Sequence, residues 1–329
     1  MDLTLTASPA IPGQIRPLNI LRDLPAVADL IELCFKETLD SSGRSNLNEM
    51  RRRAHDNVFL NWAPHVVDII SLPLSGFVWE DHGKVVGNVS LVPFHRHGRR
   101  IYLIANVATH PDYRRRGIGR ILTEMAMRRA REKDANALWL HVRDDNPGAI
   151  SMYRDLGFRE RMRRTEWHAP AGNLPKNNPE TTFKIRPRAP RDWDSQRNWL
   201  ERTYPSDMDW YTQQQTWSSF GPYLWDGFYR LLADIEVSQW AIEADGQLRG
   251  VASCRYQGGQ TPHTWLACPP RPDSESLSEL LLYARRRFSH LGGLRLEYPA
   301  GPADDAIRAA GFTSQRTLLW METPGQQPN

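Results

Sequence analysis

Four arginines and two glycines crowd into Arg114-Arg115-Arg116-Gly117-Ile118-Gly119-Arg120, just after the mostly apolar, β-branched run over 101–108. Ile121, Leu122 and Met125 then recur at helical spacing from Ile118. A strand that passes through such a turn into a helix aims successive backbone N–H groups, and the positive end of the helix dipole, at one spot. Glycine lets an anion come close to the main chain there. The chemistry is anion binding, and a pyrophosphate is the natural occupant. Side chains that alternate around a tight turn cannot all face one ligand, so some of these arginines belong to solvent. Taken alone, the pattern reads equally well as a strand-to-helix turn with a basic face.

A second group follows. Trp139-Leu140-His141-Val142 reads as a strand, and Asp144-Asp145-Asn146-Pro147 opens a helix with Asn at the N-cap and Pro in the first position. Ala149, Met152, Tyr153 and Leu156 share one face of that helix, which Gly157 ends as Phe158 returns to the core. Seven residues at about 100° each bring Tyr153 to within about 20° of Asn146, about 10 Å along the axis. Both can face one groove. In isolation Tyr153 reads as a core residue and Asn146 as a cap.

The elements that must carry these residues repeat along the chain. Ile15-Arg16-Pro17 returns as Ile185-Arg186-Pro187, and residues 83–90 (Gly-Lys-Val-Val-Gly-Asn-Val-Ser) return as 246–253. Leu138-Trp139-Leu140 returns as Leu294-Arg295-Leu296, and the Gly157-Phe158 ending as Gly311-Phe312. The common order predicts a duplication. Each copy reads as a strand, one or two helices, a hairpin, a strand, a helix, a strand, a helix and a final strand pair, with tight turns at Asp81-His82-Gly83-Lys84 and Ala244-Asp245-Gly246-Gln247. Three prolines and three asparagines between 169 and 182 mark the break. The expected layout is an arm over 1–14, a domain over 15–168, a linker over 169–184, a second domain over 185–323 and a tail over 324–329.

Residues 101–158 resemble the GNAT superfamily of acyl-CoA-dependent N-acyltransferases. Its R/Q-x-x-G-x-G/A and N-x-x-A-x-x-x-Y-x-x-x-G-F signatures are met in order by Arg114, Gly117 and Gly119, then by Asn146, Ala149, Tyr153, Gly157 and Phe158. The whole chain resembles tandem-GNAT proteins. The resemblance implies an α/β fold of two tandem GNAT-like domains, each a mixed, mostly antiparallel twisted sheet flanked by helices. It implies that the main chain of Val107, Ala108 and Thr109 pairs with the pantetheine of acetyl-CoA. Arg114, Arg115, Arg116, Gly117, Ile118, Gly119 and Arg120 then cradle the pyrophosphate, and Asn146 contacts the cofactor. Tyr153 becomes the general acid that protonates the departing thiolate.

An amine with a pKa near 10 is less than about 0.1% neutral at pH 7, so a base is useful. Leu103 and Ala105 stand where certain relatives carry a strand carboxylate. His141 stands where ribosomal-protein acetyltransferases place a glutamate, which makes it the candidate base; its plainer reading is a hydrogen-bonded histidine at a strand end. In the second half Pro269, Pro272 and Ser274 fall opposite Arg114, Gly117 and Gly119. That copy is expected to keep the fold without the donor site. Its aromatic, Gln-rich stretch, with Trp193, Trp199, Trp210, Trp217 and Trp225 near residues 213–215, reads as packing or as one wall of an acceptor pocket.

Composition limits the alternatives. The chain has 329 residues, and a net charge of +4 is too small to point to nucleic acid. Cys34, Cys254 and Cys268 are unpaired by spacing, and no histidine joins a metal-ligand pattern. No apolar run approaches the roughly 20 residues of a membrane span. The expectation is a soluble cytoplasmic enzyme, monomer or homodimer, needing no metal. It would move an acetyl group from acetyl-CoA to an amine-bearing small molecule or a peptide or protein. The alternative is an acyl-CoA-responsive binding protein with little turnover.

Overall fold

The computed structural model describes residues 13–36, 41–53, 75–96, 98–172, 174, 183–205, 210–211, 220–221, 235–258, 261–301 and 303–325. Most of the 169–184 linker lies outside the described residues, as do the arm before residue 13, the tail beyond 325, residues 213–215, Trp217 and Trp225. Two compact units emerge. One takes Met1–His141, Pro147–Arg159 and Met321–Asn329; the other takes Val142–Asn146 and Glu160–Trp320.

The first unit runs β1 (Gln14–Pro17), α1 (Ile20–Phe35), α2 (Ser41–Arg53), β2 (Gly76–Asp81), β3 (Lys84–Arg96), β4 (Arg99–Thr109), α3 (Ile118–Arg131), β5 (Ala137–Arg143) and α4 (Pro147–Asp155). Its strands lie in the order β1-β2-β3-β4-β5, antiparallel except for the β4–β5 pair. The apolar stripe of α1 and α2, with Leu24, Val27, Ile31, Leu47 and Met50, closes over Val78 on one face. Trp79, the next residue, points to the opposite face, as strand alternation requires. There α3 lies so close to β3 that a Cβ on Gly87 would stand 2.9 Å from Ile118 and 3.0 Å from Leu122. Only glycine admits that approach.

The second unit takes β6 (Arg159–Pro170), β7 (Lys184–Pro187), α5 (Trp193–Thr203), β8 (Ile235–Ala244), β9 (Gln247–Gln257), β10 (His263–Ala267), α6 (Ser274–Arg287), β11 (Gly293–Pro299), α7 (Asp304–Ala309) and most of β12 (Thr313–Pro324). Its order is β6-β11-β10-β9-β8-β7, with one parallel pair, β10–β11.

The duplication is repeated in atomic detail. In the first unit Arg16 grips Asp23 through both terminal nitrogens, at 2.6 and 2.8 Å, and donates to Glu80 from Nε at 2.7 Å. Arg186 does the same in the second, with Asp192 at 2.7 and 2.8 Å and Glu243 at 3.0 Å. Each hairpin register slips at the residue before that glutamate, at Trp79/Glu80 and at Ile242/Glu243. Gly250 repeats Gly87, its Cβ position lying 2.9 Å from Leu277.

Candidate active site

The turn between β4 and α3 is built to leave the helix end open. Pro111–Tyr113 form a single 3-10 turn, and the Tyr113 hydroxyl donates to buried Asp81 at 2.7 Å, which ties the turn to the β2–β3 hairpin. Arg115 and Gly117 both take left-handed backbone, at φ 62° and 83°. Gly117 is the N-cap, and no side chain caps α3. The first N–H groups of a helix have no intrahelical partner, so an uncapped end offers them to an anion. A Cβ on Gly119 would meet only Thr109 Oγ1 at 3.7 Å and Met152 Sδ at 4.0 Å, which leaves the turn open there.

The arginines divide as alternation requires. Arg116 donates to Asp112 O at 2.9 Å and lies over the Tyr113 ring, while Arg120 pairs with Asp155 at 3.0 Å and so joins α3 to α4. Arg114 and Arg115 are exposed, with Arg114 Nε donating to Thr109 O at 3.3 Å. Cys34 Sγ from α1 reaches the same carbonyl at 3.3 Å. Burial pushes its thiol up despite the neighbouring Arg114 guanidinium, which keeps it protonated and unreactive at neutral pH.

Upstream of the turn, β4 parts from β5. The parallel ladder runs from Ile101↔Ala137 to Ile104↔Leu140, whereas β4 stays paired with β3 as far as Gly87↔Thr109. Between Ser90↔Ala105 and Asn88↔Ala108 the register slips, so that Asn106 and Val107 together oppose the single residue Val89. Asn106 sits at φ 51°. This bulge turns the end of β4 aside. Beyond the last rung the edge of residues 105–109 is left without a β5 partner among the described pairings. Val107, Ala108 and Thr109 therefore lie along an open strand edge that leads to the uncapped helix.

His141 is the first residue of β5 past the ladder. Leu140 shares the α3 face with Ile104, so alternation turns His141 toward the α1–α2 face, where it is half-buried. Leu103 and Ala105 neighbour this point without a carboxylate. Tyr153 is buried in α4 at 6% exposure, edge-on to Phe158, and its hydroxyl makes no hydrogen bond among the described residues. Burial raises its phenol well above the ordinary value, so the group stays protonated. Asn146 belongs to the segment Val142–Asn146 of the other unit, where its N–H donates to Arg143 O at 3.2 Å. The first unit thus gathers the turn, the open edge, His141 and Tyr153, while Asn146 is described with the second.

The second unit differs at the helix end and in strand register. Its helix α6 has Asp273 as N-cap, whose carboxylate accepts from Ser276 N at 3.2 Å and fills the place of an external anion. Strand β10 pairs with β9 without a slip. Cys268 and the Tyr298 hydroxyl, 3.0 Å apart, are buried where β10 and β11 end. Glu297, opposite His141 in the repeat, is bound to Arg164.

Sequence reading missed the bulge and its buried polar partners Asn88 and Ser90, because strand register carries no contiguous motif. Among the described residues no three His, Cys, Asp or Glu side chains gather as a metal site.

Fold and site define a mixed α/β protein of two repeated units, one of which keeps an uncapped helix turn beside a splayed strand pair. Residues 30–158 match the model of the Acetyltransferase (GNAT) family. The chain is 40% identical over 63 residues to the [Ribosomal protein bS18]-alanine N-acetyltransferase of Escherichia coli (strain K12), spanning 19% of this chain and 43% of that protein. It is 44% identical over 55 residues to the streptothricin acetyltransferase of Streptomyces lavendulae, spanning 17% of this chain and 29% of that protein. It thus spans less than half the length of these curated relatives. A GCN5-related N-acetyltransferase structure from Sphaerobacter thermophilus aligns over 97% of this chain and 98% of its own, at TM-score 0.56 and 15% identity, a likeness of fold. The family match thus lies within the first of the two repeated units, over residues 30–158.

Proposed function

We propose that the chain is an N-acetyltransferase that moves an acetyl group from acetyl-CoA to a primary amine, with the chemistry in the first unit. The observation that carries this reading is the open edge of β4 running into the uncapped end of α3. One seat is suited to the amide-rich pantetheine arm and the other to a diphosphate. Residues 114–120 hold the phosphates through backbone N–H groups, with Arg114 and Arg115 adding charge. Val107, Ala108 and Thr109 hold pantetheine through the main chain, and Asn146 contributes a further contact. No metal is required.

The amine attacks the thioester carbonyl from the α1–α2 face. The carbonyl oxygen gains charge that amides of the bulged strand are placed to steady, as preorganised donors do. His141 takes the amine proton, and the C–S bond breaks. Tyr153, kept protonated by burial, hands its proton to the departing sulfur; such transfers contribute about 10²- to 10⁴-fold each. The alanine N-acetyltransferase named among the curated relatives supports an amine acceptor here too. The identity of that acceptor does not transfer, because acceptor pockets are built from loops. The second unit, whose helix end is filled by its own Asp273, serves structure or acceptor specificity. No helix among the described residues is long and apolar enough to cross a membrane.

Thiol release from acetyl-CoA, screened against amino acids, N-terminal peptides, polyamines and aminoglycoside-type amines, tests the assignment. Acceptor-dependent release is expected. Binding without release for every amine leaves an acyl-CoA-responsive binding protein, and no binding removes both readings.

A further inference from the structure

The bulge in β4 is held from β3 by side chains that neither the family signature nor the proposed chemistry uses. Asn88 and Ser90 are fully buried, at 0% exposure, on the α1–α2 face of β3. Asn88 Nδ2 donates to Asn106 O at 2.9 Å and to Ser90 Oγ at 3.3 Å, while Asn106 Nδ2 reaches the same Ser90 Oγ at 3.3 Å. All three side chains meet at the one slip in the β3–β4 register.

The orientation of Asn88 is set by its partner. A carbonyl can only accept, so the NH₂ group must face Asn106 O. Its Oδ1 is then left buried with no hydrogen-bond partner. An orphaned buried acceptor is a cost that folds rarely keep without a use. A non-glycine residue in the left-handed region is a second local cost at the same point. Both fall where β4 leaves β5.

We infer that Asn88 is a positioning residue that pins Asn106 in its left-handed conformation, and so aims the main chain of Val107 at the acyl group of the bound thioester. The inference rests on the acyl-CoA reading above and deepens it. Asn88 touches no reacting atom. It acts through Asn106, with Ser90 as the shared acceptor that fixes both amides. The phosphate turn, at the far end of the open edge, does not depend on it.

The test uses the full chain with Asn88→Ala, Asn106→Gly and the two combined. Calorimetry with adenosine 3′,5′-bisphosphate reads the phosphate seat, steady-state thiol release reads turnover, and hydrogen exchange over 105–109 reads the bulge. Asn88→Ala is expected to leave nucleotide affinity unchanged, to speed exchange at 105–109 alone, and to lower kcat by about 10²-fold through misplacement of the acyl-contacting amide. In the Asn106→Gly background the same change should cost far less, because glycine adopts the left-handed conformation unaided.

Unchanged exchange and kcat in Asn88→Ala, or an equal loss in both backgrounds, would overturn the inference. Should Asn88→Ala not fold, Ser90→Ala removes the shared acceptor and is read the same way. If the unaltered protein takes up no acetyl-CoA, the functional reading fails by itself, and the exchange experiment still decides whether Asn88 holds the bulge.

Discussion

The acid role proposed for Tyr153 rests on the burial of its phenol. Desolvation disfavours the phenolate, so the proton is retained throughout the physiological range, as a proton donor to a thiolate needs. Tyr153→Phe is expected to lower kcat by about 10²-fold while leaving the Kd for acetyl-CoA unchanged, since the ring and its packing on Phe158 remain. Stopped-flow thiol release with parallel calorimetry checks both numbers. The sign of the pH effect follows from the raised value: the acid is active when protonated, so no loss of rate from this group is expected below a pH of about 10. As the proposed base, His141 would act in the opposite sense, taking a proton only when neutral. His141→Ala should flatten the acidic limb of the kcat/KM profile, and an unaltered limb would dismiss it as the base.

At the scale of elements, the decisive contrast lies between two helix N-termini. Gly117 leaves α3 uncapped, and Asp273 closes α6 with its own carboxylate. Gly117→Asp should therefore place a resident anion at the seat and weaken acetyl-CoA binding by at least about tenfold, or about 1.4 kcal/mol. The left-handed φ of 83° also strains any side chain at that position. Titration calorimetry beside a melting curve separates the two effects. Asp273→Ala is expected to cost about 1 kcal/mol of stability, the usual worth of such a cap, without touching turnover.

Across the whole molecule, each unit carries one Arg–carboxylate staple that responds to acid. The Arg186 guanidinium holds the Asp192 carboxyl below its usual range; at Asp23 burial alone would push the value up, and the Arg16 pair outweighs it. Both native values are depressed. Their stabilisation is present above the unfolded value of about 4 and lost as pH falls through the lower native one. Asp192→Ala, which leaves Arg186 with Glu243 as its carboxylate partner, should cost about 2 kcal/mol near neutrality through the lost charged hydrogen bonds and flatten the acid limb of unfolding measured by circular dichroism. Chain order matters at this scale too. Strand β6 pairs with β11 from Pro170↔Gly293 to Arg164↔Pro299, and Gly325 bonds Asn136 and Arg131 within the first unit. A fragment of residues 1–170 lacks partners for β6 and loses residues 321–325. It is expected to aggregate rather than melt cooperatively.

What the sequence determined by itself was local chemistry and repetition. The proposed anion turn at 114–120 is marked by contiguous glycines and arginines, a helix face by 3.6-residue spacing, and a duplication by order along the chain; each is legible without folding. The resemblance carried by Arg114, Gly117, Gly119 and residues 146–158 reached the family. Tertiary structure decided what depends on register. The slip opposite Val89, the end of the β4–β5 ladder at Ile104, the burial of Asn88, and the Asp81 anchor of Tyr113 arise between residues far apart in sequence. A shift of one rung would send each of these side chains to the other face, so no local pattern specifies them.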